Sequence, residues 1–307
     1  MRVQLAQGLA NRNRQLTGEE LRFLVQMLLD RIIFLRIAED RGIEPYADLQ
    51  ATARAKRKDE VYKGLLDRFR AASTRYNSGL FDLQADMLSA SVHLDNAVLA
   101  PIINGLYYPE SPYAFAVIGP EILGSAYERF LGKVINIGED HTIHIEDKPE
   151  VRNAGGVFYT PAPIVSYIVE RTLGPLCENR TPKEVAKLRI VDPACGSGSF
   201  LLGAYQYLLD WHLNYYQNNP KAPLPPSTLP VLKGRGAAVN RTPLTPDKYL
   251  SNSLKKAILI NNIFGVDLDA QAVEVTKLSL LLKCLEGETP ASIQQTLSLE
   301  RILPTID

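Results

Sequence analysis

Apolar positions along the chain fall into two spacings. In the N-terminal part, Leu21, Leu24, Val25, Leu28, Ile32 and Leu35, joined by Leu29 and Ile33, recur at helical intervals. A stripe that wide predicts a well-buried helix. Thr17 and Glu20 form a capping box at its start, and Gly42 with Pro45 beyond predicts its end near Arg41. Residues 1–15 are polar and begin without a cap, so this stretch is expected to be ragged. Residues 61–72 and 95–106 also read as helices, and 109–120 as a turn-rich, aromatic connector. Residues 121–134 predict another helix, with Ile122, Leu123, Ala126, Tyr127, Phe130 and Leu131 on one side. The run T-I-H-I that follows reads as a strand.

The second spacing is a short apolar run that ends in small residues. Residues 188–191 (L-R-I-V) predict a buried strand. Asp192, Pro193 and a loop of small residues follow, and Phe200, Leu201 and Leu202 open a helix that runs to about His212. Strand, glycine-rich turn and helix form the phosphate-and-nucleoside corner of an α/β sheet. Gly196 and Gly198 allow a sharp turn and leave no Cβ in the way of a ligand. Upstream, Thr160 can cap a helix with Pro161 at its first position and Ile164, Val165, Ile168 and Val169 on its buried face. Downstream, 254–262 predict a helix and 263–268 a second strand. Asp269 then caps an apolar helix, with Ala272, Val275, Thr276 and Leu278 among its inward positions, that ends at Gly287. Between the two strands, 218–246 are rich in proline and glycine and predict a long surface excursion. The pattern implies an α/β fold preceded by an all-helical domain, with boundaries near 1–140 and 150–307.

Composition narrows the function classes. Thirty-four basic side chains balance thirty-four acidic ones, so net charge makes no case for a DNA-binding surface. Arg54, Lys56, Arg57 and Lys58 cluster, but a solvated loop outweighs a phosphate contact there. Cys177, Cys195 and Cys284 lie far apart. That spacing argues against a zinc site and a disulfide framework and fits a reducing cytoplasm. No targeting signal and no apolar run of membrane length is visible. His141 and His144 lack a partner at ligand spacing and predict an exposed strand face, not a metal site. A nicotinamide-binding loop needs G-x-G-x-x-G, and position 201 is Leu201.

The wording of three stretches goes further. D-P-A-C-G-S-G, from Asp192, resembles motif I of the S-adenosylmethionine-dependent DNA methyltransferases that modify exocyclic amino groups. G-G-V-F-Y-T-P, from Gly155, resembles their motif X, and I-F-G-V-D-L-D-A, from Ile263, their motif II. The N-terminal helices also resemble the helical connector of the type IIG restriction–modification adenine methylases and their BREX-type phage-defence relatives. The resemblance implies a partial Rossmann-like methyltransferase sheet and S-adenosylmethionine as cofactor. It implies that Tyr159 and Thr160 close over the methionine end of the cofactor, with Asp192 facing its amino group. Ala194, Gly196 and Gly198 would line the loop, and Asp267 would accept both ribose hydroxyls; Asp269 is better read as the helix cap. Spacing alone would not identify Asp267, because the 218–246 insertion intervenes.

The family's catalytic N-P-P-Y loop has no counterpart in these 307 residues, nor has D-P-P-Y. No catalytic residue is therefore expected in this chain, and the sheet is expected to hold two of the family's roughly seven strands. Duplex DNA would be the substrate of the complete enzyme. The alternative is a non-catalytic, cofactor-binding scaffold completed by a second polypeptide that carries the N-P-P-Y half. Neither reading predicts a membrane partner.

The composition of 218–246 makes one prediction. Limited proteolysis followed by mass spectrometry should cut there before it cuts the strands at Ile190 or Val266. First cleavage inside either strand would contradict the element assignment.

Overall fold

The computed structural model describes residues 1–54, 60–76, 79–131, 133–138, 142–147, 160–225, 242–289, 292–293, 303–304 and 306. The chain divides into two compact units, Met1–Ile118 with Arg129–Val157, and Gly119–Glu128 with Phe158–Ile306. Among the described residues no helix is long and apolar enough to cross a membrane. The run of basic residues after Arg54, and the Gly155-to-Tyr159 part of the motif X wording, lie outside the described residues.

The first unit is built on helices α1 (Arg2–Arg12), α2 (Gly18–Asp40), α3 (Asp48–Ala53), α4 (Glu60–Tyr76), α5 (Met87–Ser91) and α6 (Asn96–Asn104). The N-terminal stretch is not ragged: α1 is a full helix with Leu5, Ala6 and Leu9 buried. Its missing cap is outweighed by packing on α2, since tertiary burial stabilises a helix more than its ends do. In α2 the capping box forms as expected, and Gly42 follows at φ +69. The helix is buried on nearly every side, so its charges need internal partners. Arg31 donates to the Leu80 carbonyl at 2.7 Å and pairs with Asp86 at 2.8 Å. Arg36 donates to the Leu106 carbonyl, pairs with Asp40 and lies over the Tyr107 ring.

Two expectations for this region are corrected. The helix predicted to reach residue 134 is α7 (Pro120–Leu131), and a strand, β1 (Lys133–Ile137), follows it. The β-branched run V-I-N-I favours extended backbone and overrides the helical spacing. Within α7 the inward positions are Leu123 and Tyr127, while Ile122 and Ala126 are exposed. The first unit is also not all-helical. β1 pairs antiparallel with β2 (Ile143–Asp147), with Ile135 opposite Ile145. His144 lies on this pair, exposed and bonded to Thr142.

The second unit contains α8 (Ala162–Cys177), α9 (Pro182–Val185), β3 (Ile190–Asp192), α10 (Ser199–Asn218), α11 (Asn252–Asn262), β4 (Ile263–Gly265) and α12 (Ala270–Cys284). β3 and β4 pair in parallel, with Ile190 opposite Ile263, Val191 opposite Phe264 and Asp192 opposite Gly265. The core gathers Val165, Val169 and Leu173 of α8, Leu201, Tyr205 and Leu208 of α10, and Leu254 and Ile258 of α11. It lies on one face of the strand pair. The other face is open: Val191 is 61% exposed, Val266 58% and Phe264 40%. The strand predicted to be buried is thus buried on one side only, and three residues long.

Two more boundaries move, and one helix face turns. α8 begins after Pro161, which occupies the cap position itself, so Thr160 is not the cap. Ile164 and Ile168 are outward-facing on α8; Leu173 and Cys177 take their place inside. α10 continues to Asn218, because its aromatic tail packs: Trp211 stacks on Tyr215, and Tyr216 is fully buried.

His212 of α10 is buried in that tail, 1% exposed. Its Nδ1 lies 2.7 Å from the Leu208 carbonyl, which can only accept, so Nδ1 carries the proton. Burial pushes the His212 pKa down to about 4, below the 6.5 of an exposed histidine. Below pH 6.5 the unfolded chain takes up a proton that the folded chain refuses until about pH 4. Stability should therefore fall as pH falls from 6.5 to 4, by up to about 3 kcal/mol. Urea midpoints measured across that window should drop in the wild type and flatten in His212→Phe; equal slopes would remove His212 as the cause.

Candidate functional site

The site is built where β3 and β4 end side by side. Pairing continues past the strands: Val266 N–H donates to the Asp192 carbonyl at 2.9 Å, and Cys195 N–H to the Val266 carbonyl at 3.0 Å. The loop after β3 is thereby stitched to the segment after β4. Asp192 turns the chain locally, its Oδ1 accepting from Ala194 N–H at 3.1 Å. Gly196 and Gly198 both sit at positive φ, +53 and +84, and Gly198 is the cap residue from which α10 starts. An L-residue in that region is strained, which is why glycine stands there.

Asp267 closes the arrangement. Its Oδ2 accepts Gly196 N–H at 2.8 Å, across 71 residues of sequence. Its Oδ1 accepts Asp269 N–H at 2.8 Å, and Asp269 in turn caps α12 by accepting Gln271 N–H at 3.1 Å. Asp269 is therefore the cap that the sequence predicts. Thr276, on α12, donates its hydroxyl to the Gly196 carbonyl at 2.8 Å. Gly124 of α7 also lies against the loop: a Cβ there would stand 3.4 Å from the Ser197 carbonyl oxygen.

Five of the seven sequence-predicted positions therefore meet: Asp192, Ala194, Gly196, Gly198 and Asp267. Thr160 is half-buried at the start of α8, and no hydrogen bond joins it to the loop among the described residues. Tyr159 lies outside the described residues. Cys195, buried in the loop, is held as a thiol: burial first, then Asp267 and Asp192, push its pKa up. Among the described residues no group of histidine, cysteine and carboxylate side chains is arranged to hold a metal.

Comparison with known proteins decides the kinship. Residues 119–222 match the N-6 DNA Methylase family model, and residues 178–306 match the model for the MmeI DNA-methyltransferase domain. A type II restriction enzyme and methyltransferase of Escherichia coli is 33% identical over 307 residues, covering 100% of this chain. Residues 119–306 are thus similar to DNA methylase families, and the whole chain is similar to part of a type II restriction enzyme and methyltransferase. A putative type II restriction enzyme and methyltransferase of Methanocaldococcus jannaschii is 24% identical over 355 residues, covering 92% of the chain. The chain spans 28% and 26% of the lengths of these two relatives. The N-6 DNA Methylase match opens at Gly119, where the second compact unit also opens.

Sequence reading missed Thr276 as more than an inward position on α12. The available signal was a hydroxyl within an otherwise apolar helical face. The geometry makes a further prediction. A Cβ on Gly198 would lie 2.7 Å from Thr276 Cγ2, at a φ of +84. Gly198→Ala should destabilise the fold by about 1–3 kcal/mol, read as a lowered urea midpoint. A midpoint equal to the wild type would show that the loop relaxes freely.

Proposed function

We propose that this chain supplies the cofactor-binding half of an adenine-specific DNA methyltransferase of a restriction–modification or phage-defence system. S-adenosylmethionine is the methyl donor, and the second unit is the opening part of a Rossmann-like methyltransferase sheet. The observation that carries the reading is the meeting of the Gly196 loop and the Asp267 carboxylate at the ends of two parallel strands.

The donor set fits that cofactor. A carboxylate offers about four acceptor sites. Among the described residues, backbone N–H groups take one at Asp192 and two at Asp267. Acceptor capacity remains at Asp267 for a vicinal ribose diol and at Asp192 for an ammonium group. Ala194, Gly196 and Gly198 keep the loop low, so that a ligand can lie on the backbone. Thr160 and Tyr159 would close the methionine end. The cofactor, when bound, supplies the electrophilic sulfonium methyl; the chain's own residues bind it and orient it.

The 307 residues contain neither N-P-P-Y nor D-P-P-Y, the loop that would receive a flipped adenine in this family. The second reading, a cofactor-binding subunit completed by another polypeptide, is favoured by one feature. The outer face of the strand pair, Val191, Phe264 and Val266, is apolar and exposed, whereas parallel sheets are normally covered on both faces.

Two measurements test this. Calorimetric titration with S-adenosylhomocysteine should show binding that Asp267→Ala weakens by about 1.5–3 kcal/mol, the scale of hydrogen bonds to a charged group. Tight binding indifferent to that substitution would remove Asp267 from the site. Separately, the 307-residue chain mixed with methyl-labelled cofactor and mixed-sequence duplex DNA should transfer no label above background, since its sequence carries no N-P-P-Y or D-P-P-Y loop to receive the base. Robust transfer would show that the catalytic loop has been misplaced.

A further inference from the structure

The helical threonines of this chain follow a pattern that one of them breaks. Thr52, Thr74 and Thr172 each donate their hydroxyl to the carbonyl four residues back in their own helix. That is the default for a threonine within a helix. Thr276 is buried, 4% exposed, and sends its hydroxyl out of α12 to the Gly196 carbonyl, 80 residues away.

The consequence for Gly196 is specific. Its N–H is held by Asp267 at 2.8 Å and its carbonyl by Thr276 at 2.8 Å. Both peptide groups beside a left-handed glycine are thus fixed by side chains that follow β4. The same threonine's side chain also lies against Gly198. One side chain therefore reaches both glycines of the loop. A glycine loop has much backbone freedom to lose, and a ligand that must order it binds more weakly by that cost.

We propose that Thr276 is a positioning residue: with Asp267 it keeps the glycine loop formed before any ligand arrives, so that the cofactor meets a preset surface. The proposal rests on the cofactor reading above for its ligand, but not for its first test. Hydrogen–deuterium exchange of the ligand-free chain reads the loop amides directly. Thr276→Val keeps the shape and removes the hydroxyl; Thr276→Ser keeps the hydroxyl and removes the methyl. Exchange over Cys195 to Gly198 should quicken several-fold in Thr276→Val, stay near wild type in Thr276→Ser, and leave α10 unchanged in both. Thr276→Ala replaces the valine variant if that one does not fold. Titration with S-adenosylhomocysteine should then show affinity reduced roughly 3- to 10-fold in Thr276→Val, the scale of one neutral hydrogen bond, and restored in Thr276→Ser. Unchanged loop exchange in Thr276→Val overturns the proposal. So does quickened exchange with unchanged affinity, because the threonine would then serve stability alone. A wild type that binds no S-adenosylhomocysteine overturns the cofactor reading, and loop exchange by itself then decides whether Thr276 holds the loop.

Discussion

The hydrogen bond from Gly196 N–H to the Asp267 carboxylate joins two loops that the chain places 71 residues apart. Most of the site depends on it. Two parallel strands of three residues each make few ladder bonds, and on their own would hold their ends loosely. The carboxylate adds a charge-assisted bond at the point where both strands stop, and its other oxygen holds Asp269, the cap residue of α12. The stitching through Val266 then sets how far apart the two loops stand. Local chain direction, cap chemistry and loop shape are one structure here.

The same economy explains why one face of the strand pair can be bare. The core of the second unit is made by α8, α10 and α11 against the inner face, with Leu201, Tyr205 and Leu208 at its centre. Burial there stabilises the loop from below, so the site forms without cover on the outer face. The first unit solves a different problem. Its long helix α2 is buried almost all round, and Arg31 and Arg36 are accommodated by carbonyls, carboxylates and rings, not by solvent.

What the sequence made legible was local. The Thr17 capping box, the Gly42 stop, the Asp269 cap and the glycine turn after Asp192 are each written in a few neighbouring residues, and each is present. What it hid depended on distant partners. The α1 helix looked like a polar tail because its stabilisation comes from α2. The helix expected over 121–134 ran into the start of the strand at Lys133–Ile137, where β-branched Val134, Ile135 and Ile137 favour extended backbone. In α8 the inward stripe was misplaced by part of a turn, so Ile164 and Ile168 face outward. Asp267 was found through family wording, since the insertion destroys the spacing that would have pointed to it. Thr276 was hidden for the plainest reason: its partner is a backbone carbonyl, which no side-chain pattern records.

The paired hold on Gly196 has a consequence for anyone who would move this loop. Residues from Asp192 to Ser199 look like a self-contained cassette, and a designer might splice them onto another strand-and-helix corner. The cassette carries neither the acceptor for Gly196 N–H nor the donor for its carbonyl; both belong to the next strand-to-helix unit. A transplanted copy would bring the glycines and leave their restraints behind. The smallest portable piece is therefore discontinuous, two β-to-α corners taken together.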